Sequence, residues 1–293
     1  MPSLLQTFAG LTMLLAALVA AMAGMRAGAG PWPGVVVLGL TLLVWMRRRL
    51  RGRPKHLDEE TRAWLAAHVP LFTHADAPGR ARFERAVAAF LAAQRFEAAG
   101  EAQWTLERRL AVAAGAATLL HGRPGWSLAS RRTMLLYETR FDAQYEKDAE
   151  WGEFDGMAHP QGPVIFAADA LDHAWDHTDG SNVVLHELAH LFDFDSSGID
   201  GVPSLVADAS AEAWAALVRR EMQRVRIGKS LLRSYAAHDA AEFFAVSTEV
   251  FFERPFALAR RHPELFEALT AMYALDPREG WRDVETPNED ADT

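Results

Sequence analysis

The sequence predicts an α+β fold: a mainly helical domain with a small β-sheet, preceded by an N-terminal transmembrane helical hairpin. Three observations carry this. Two apolar runs near the N-terminus are separated by a Gly/Pro turn and closed by a basic cluster. Two short apolar segments, "TMLLYE" (Thr133–Glu138) and "GPVIFAA" (Gly162–Ala168), have the length and composition of strands. Most of the remainder carries apolar residues at helical spacing.

Leu4–Gly24 is uncharged and mostly Leu, Ala, Val and Met. At the helical rise it covers about 30 Å, the thickness of a bilayer core. "MRAGAGPWPG" then supplies a turn. The second run, Val35–Met46, is short for a span, and "RRRLRGRPK" follows it. Arginines beside an apolar run orient their flank inward, so residues 1–55 are expected to form a membrane anchor with both ends cytoplasmic. A cleaved signal peptide would need a basic residue ahead of the apolar run, and Met1–Gly10 has none.

Residues 56–100 read as helical. "DEETRAWLAAHV" opens with acidic residues suited to a helix N-terminus, and Phe83, Val87, Phe90 and Leu91 share one stripe. Trp104–Leu120 is an Ala-rich, buried helix broken by Gly122–Gly125. The polar, aromatic stretch Phe141–Gln161 between the two strands reads as a loop or small hairpin. From Asn182 onward helices are expected at 182–194, about 204–226, about 235–252 and 256–273. Residues 56–275 thus form the body, and 276–293 an acidic, disordered tail.

Residues 1–55 hold seven basic and no acidic side chains against a total of −9, which leaves −16 for the rest. So acidic a body lacks the basic footprint of nucleic-acid binding. With no cysteine there is no disulfide, no thiolate zinc site and no cysteine nucleophile. A metal site must use His, Asp or Glu.

"NVVLHELAHLFDFD" (Asn182–Asp195) contains such a set. Residues four apart share a helix face, so His186 and His190 can aim at one ion. Glu187, turned about 100° around the helix, lies beside that ion and can take a proton from an activated water. This is the H-E-x-x-H pattern of zinc peptidases. Asn182 or Ser181 can cap the helix after Gly180. The bland alternative is a core helix whose histidines bond to neighbours. His173 and His177 also stand four apart, but without the interposed Glu, in a polar stretch that reads as a surface turn or short helix. A third ligand must be a later carboxylate: Glu212, Glu221, Glu242 or Glu249. Glu221 sits among charges and reads as solvated. Glu242 and Glu249 lie in an apolar helix, where an unpaired carboxylate is costly.

"QGPVIF", "GSNVVLHELAHLFDFDSSGIDGVPSL" and "YAAHDAAEFFAVSTEVFFERP" together make residues 163–277 resemble the Mlc titration factor A family of zinc peptidases. The resemblance implies a zincin-like metallopeptidase domain in a bacterial protein. It implies that Zn(2+) is bound by His186, His190 and Glu242, with Glu187 as general base. Tyr235, seven residues before Glu242, matches the tyrosine that polarises the substrate carbonyl in anthrax lethal factor, whose catalytic core the family is similar to. Glu249 and Asp193 match acidic positions that support the ligands. Some members bind the repressor Mlc, so a repressor-protein partner is implied by the resemblance alone; the membrane hairpin is not part of its soluble members. The expected whole is a zinc-dependent peptidase acting on a peptide or protein substrate, anchored in the inner membrane with a cytoplasmic catalytic domain. The alternative is a regulatory protein that sequesters a transcriptional repressor, with a weakly active or structural zinc site. An intact Glu187 favours the enzyme.

Overall fold

The computed structural model describes residues 25–28, 32–33, 35–37, 39, 57–123, 126, 128, 132–140, 154–194 and 211–280. Most of residues 1–55, where the hairpin is expected, and residues 281–293 of the expected tail fall outside this set. Among the described residues no helix is long and apolar enough to cross a membrane. The chain divides into two units, Met1–Lys55 and His56–Thr293. The second unit is mostly helical with a small mixed sheet.

Helices α1 (Glu59–His68), α2 (Pro70–His74) and α3 (Ala77–Ala93) open the second unit. Asp58 caps α1 by accepting the Thr61 amide at 2.9 Å, and Asp76 caps α3 through the Gly79 amide at 2.7 Å. The stripe expected on α3 is buried at Phe83, Val87 and Phe90. The helical reading of residues 56–100 fails at its end, where Arg95–Ala98 forms strand β1. Its residues pair in parallel with β2 (Thr133–Tyr137), so a distant partner overrides local propensity. The stretch before the second strand contains β3 (Gly156–Ala158), antiparallel to β4 (Val164–Ala167), as a hairpin reading expects. Sheet order is β1-β2-β4-β3, with β2 and β4 parallel. Met134, Leu136, Val164 and Phe166 are its fully buried side chains within the main core.

Helix α4 (Leu106–Leu120) is buried on every side from Leu110 to Leu119. Short α5 (Ala168–His173) is followed by α6 (Val183–Phe194), α7 (Ala211–Arg226), a 3-10 turn (Ser234–Ala237) and α8 (Ala240–Glu253). The expected helix over 256–273 is instead two, α9 (Pro255–Arg261) and α10 (Pro263–Tyr273). Pro263 has no amide to continue α9 and disfavours helical backbone at His262, which takes φ −138° and ψ 60°. The reading of Glu221 as solvated also fails: it is 2% exposed, its carboxylate 2.6 Å from His262 Nδ1.

Gly115 lets α4 and α6 approach closely. A Cβ there would lie 2.4 Å from Val184 Cγ1 and 3.4 Å from Leu188 Cδ1. Alanine is the better helix former by about 1 kcal/mol, yet Gly115→Ala should cost about 1–3 kcal/mol, the scale of overpacking a filled core. Adding Val184→Ala should recover part of that loss. Urea denaturation of both variants checks this; a stabilised single variant would mean that the contact is not tight.

Candidate metal centre

Helix α6 begins where two side chains hold its first turn. Gly180 takes φ +92°, and its amide donates to Glu253 Oε2 at 2.8 Å. Asn182 Oδ1 accepts the amides of Val184 and Leu185, both at 3.1 Å. One turn further on, His186 and His190 face the same side, their Nε2 atoms 3.3 Å apart. Helix α8 arrives opposite. Asp239 caps it by accepting the Glu242 amide at 2.9 Å, which puts Glu242 in the first turn. Glu242 Oε2 lies 3.0 Å from His186 Nε2 and 3.7 Å from His190 Nε2.

One ligand atom from each of these residues lies within 4.8 Å of the other two. Two nitrogens bound to one tetrahedral ion at about 2.0–2.1 Å stand about 3.3–3.4 Å apart, close to the separation seen here. Glu242 Oε2 is buried yet makes no hydrogen bond of acceptable geometry. A buried acceptor with no donor, facing two imidazole nitrogens, fits a metal cation. The donor set of two nitrogens and one carboxylate oxygen suits zinc.

Behind the histidines stands Glu249, 0% exposed. It accepts from His186 Nδ1 at 2.7 Å, from the Asn182 amide at 2.6 Å and from both Arg233 terminal nitrogens at 2.8 and 2.7 Å. Burial raises the pKa of Glu249, but His186 and Arg233 outweigh that and hold it low. With Nδ1 donating to Glu249, His186 turns its Nε2 toward the centre. Burial alone would lower the pKa of His186; the carboxylates of Glu249, Glu242 and Glu187 reverse this and raise it to about 10. The pocket is therefore strongly cation-seeking. Burial also opposes the charge on Glu242, and the facing imidazoles of His186 and His190 outweigh it and hold its pKa well below the usual range.

Glu187 is 5% exposed, and burial raises its pKa against the pull of His186 and His190. It packs on β3, the antiparallel edge strand, at Gly156. A Cβ on Gly156 would sit 2.6 Å from Glu187 Cγ and 2.8 Å from its Oε1. Tyr235, on the 3-10 turn, is 39% exposed, with its ring centroid 6.0 Å from that of His186. Burial and the neighbouring Glu242 carboxylate raise the pKa of its phenol, so it stays a donor.

The structure thus brings together His186, His190, Glu242, Glu249 and Tyr235, with Glu187 alongside. It does not bring in Glu212, exposed on α7, or Glu221, buried against His262. The Asp193 side chain lies outside the described residues. His173 is exposed and bonded to Asp176 at 2.8 Å, the surface role expected of that pair. Arg233, Glu253 and Gly156 had no signal in the sequence. Each is an isolated residue whose partner is distant in the chain, 16 residues for Arg233 and 73 for the Glu253 contact to Gly180.

A family model and three relatives bear on this geometry. A family model described as glucose-regulated metallo-peptidase M90 matches residues 43–274. An uncharacterized protein of Synechocystis sp. is 27% identical over 254 residues, 80% of this chain and 90% of that protein. Mlc titration factor A of Cronobacter sakazakii is 30% identical over 166 residues, and that of Escherichia coli 30% over 155. These alignments take in 50% and 47% of this chain and span 62% and 58% of the two titration factors.

The full-length chain, exposed to zinc and then desalted, should retain about one ion per molecule. His186→Ala and His190→Ala should abolish retention, Glu242→Gln should weaken it, and Glu212→Gln should leave it intact. Elemental analysis decides: full occupancy in both histidine variants would remove the centre from consideration.

Proposed function

Because the chain belongs to the glucose-regulated metallo-peptidase M90 family, that of Mlc titration factor A, we propose that it is a membrane-anchored, zinc-dependent peptidase. The observation that carries this reading is the convergence of His186, His190 and the undonated Glu242 Oε2, with the buried carboxyl of Glu187 beside them. His186 and His190 would hold zinc through Nε2 and Glu242 through Oε2, with Glu249 fixing the His186 ring. Zinc in such a site acidifies a water and polarises a peptide carbonyl.

The chain's own residues would do the rest. Glu187 takes the proton of the attacking water, and its raised pKa suits it to hold that proton and deliver it to the leaving amine nitrogen. The protonated Tyr235 phenol donates to the carbonyl oxygen as negative charge develops there. Gly156 sets the distance between strand and base, so the carboxyl keeps one orientation. The relatives' name points to a second reading, a protein that titrates a repressor. The buried Glu187 favours the enzyme, because a purely structural metal site has no use for an acid–base group held at its side.

Glu187→Gln should retain zinc while turnover of a peptide library falls by about 10²–10⁴, the usual contribution of a positioned base. Gly156→Ala should also retain zinc and lower kcat by about tenfold to a hundredfold with KM little changed, since small misplacements of a reacting group carry that penalty. Undiminished turnover in Glu187→Gln would refute the mechanism.

The anchor would be residues 1–55, with residues 56–275 as the peptidase domain on the cytoplasmic side of the inner membrane. The support is the charge asymmetry: Arg26 alone between the apolar runs, six basic residues after them. A green fluorescent reporter placed after Thr293 should be bright, and alkaline phosphatase at the same site inactive. The reverse pattern would put the domain outside.

A further inference from the structure

Arg233 and Tyr235 reach the centre from a segment, residues 228–237, that has no extended regular structure of its own. Gly228 ends α7 with φ +68°, and the chain then crosses to the 3-10 turn through Ser230, Leu231 and Leu232. This crossing is tied at its middle to a histidine that plays no part in the metal centre. His262, 1% exposed at the junction of α9 and α10, receives the Leu231 amide on Nε2 at 3.0 Å. Its Nε2 is also 3.4 Å from Ser230 Oγ, which in turn accepts the Leu232 amide at 3.1 Å. On the other side of the ring, Nδ1 lies 2.6 Å from Glu221 Oε2.

These contacts admit one protonation state. A backbone amide can donate only to a lone pair, so Nε2 carries no proton, and the single ring proton sits on Nδ1, donated to Glu221. Glu221 is itself buried on α7, with Arg224 Nη1 at 3.3 Å from each carboxylate oxygen and Arg220 Nε at 3.5 Å. Helix α7, the α9–α10 junction and the crossing segment are therefore joined through one neutral imidazole. A second proton on the ring would meet the Leu231 amide head-on and expel one of the two.

We propose that His262 is a positioning residue: its neutral ring pins the Ser230–Leu232 crossing to Glu221 and so sets Arg233 against Glu249 and Tyr235 against His186, and protonation in acid releases the crossing. The consequence at the centre rests on the metallopeptidase reading; the tie itself does not. The charged groups acting on the ring are Glu221 and Arg224 from α7 and Arg261 from its own turn, while Arg220 of α7 pairs with Glu221 at 3.5 Å and with Glu264 of α10 at 2.7 Å. Burial lowers the pKa of His262 from its ordinary 6.5, and Arg224 and Arg261 add to this while Glu221 opposes it. For a histidine held below its ordinary value the unfolded or released form binds more protons, so the tie is whole above 6.5 and weakens as pH falls below it.

Hydrogen exchange of residues 229–237, read by mass spectrometry on the full-length chain with zinc added, tests the proposal. In the unaltered protein, protection of this segment should fall about tenfold between about pH 7.5 and about pH 5.5, beyond the intrinsic effect of pH on exchange. His262→Gln should keep its protection at both values, because an amide offers one acceptor and one donor but takes no proton. His262→Ala should lose protection of the segment by about tenfold at neutral pH while helix α6 keeps its own, and its zinc dissociation constant should rise by about tenfold or more. Equal acid loss in the unaltered and His262→Gln chains overturns the proposal, as does an unaltered segment in His262→Ala. A loosened segment with unchanged zinc affinity leaves no positioning role and also overturns it. Should His262→Ala fail to fold, the two-pH comparison with His262→Gln decides alone. A chain that shows the tie but neither binds zinc nor cleaves peptides refutes the metallopeptidase reading and leaves the pinning of the segment standing.

Discussion

Glu249 carries a charge with no access to water, and the arrangement of the centre follows from how that charge is satisfied. It receives the His186 ring, the Asn182 amide and a two-pronged Arg233. Removing one partner from a buried ionic set of this kind costs about 3–5 kcal/mol, because the remaining charge is left unpaired. The start of α6, the middle of α8 and the segment before the 3-10 turn are thus held in one register by a single carboxylate. His186 can face forward only because its rear nitrogen is engaged.

Satisfying charge at this depth requires the elements to come unusually close, and two glycines permit it. Gly115 lets α6 settle onto the central helix α4, and Gly156 lets the Glu187 side chain lie flat against the edge strand. Side chains in either place would push the histidine helix out or turn the carboxyl away. Both are backbone solutions to problems of packing density, where interiors leave no slack to absorb an extra methyl group.

The same depth explains the electrostatics. Glu187, Glu242 and Glu249 crowd two histidines in a space where burial disfavours every charge among them. Glu253 lies one turn beyond Glu249 on α8, and there burial prevails over the hydrogen bonds from Asn182 and Gly180, raising its pKa to about 8. Its neighbour Glu249 stays ionised because it has His186 and Arg233 as cationic partners. Two acids on one helix, four residues apart, therefore end in opposite states through their partners alone.

Much of this was legible in the chain. Local signals are enough for a helix whose apolar residues and histidines fall within a dozen positions, so α6 and the shared face of His186 and His190 could be read directly, while the cap was narrowed to Asn182 or Ser181 and the structure decides for Asn182. The strands β2 and β4 and the buried helix α4 were also plain, because their composition matches their burial. The resemblance to a known family selected Glu242 from four candidate carboxylates; spacing could not. Other features depended on tertiary structure. Arg95–Ala98 is a strand because Thr133–Leu136 lies beside it. Glu221 is buried because His262 waits 41 residues later. Arg233 matters because Glu249 needs a second cation. A sequence records which side chains exist and their local period, and that determined most of the helices, strands β2 and β4 and the chemical type of the site. Which charges are paired in the interior depends on contacts between residues far apart in the chain, and those are decided only when the chain closes on itself and excludes water from them.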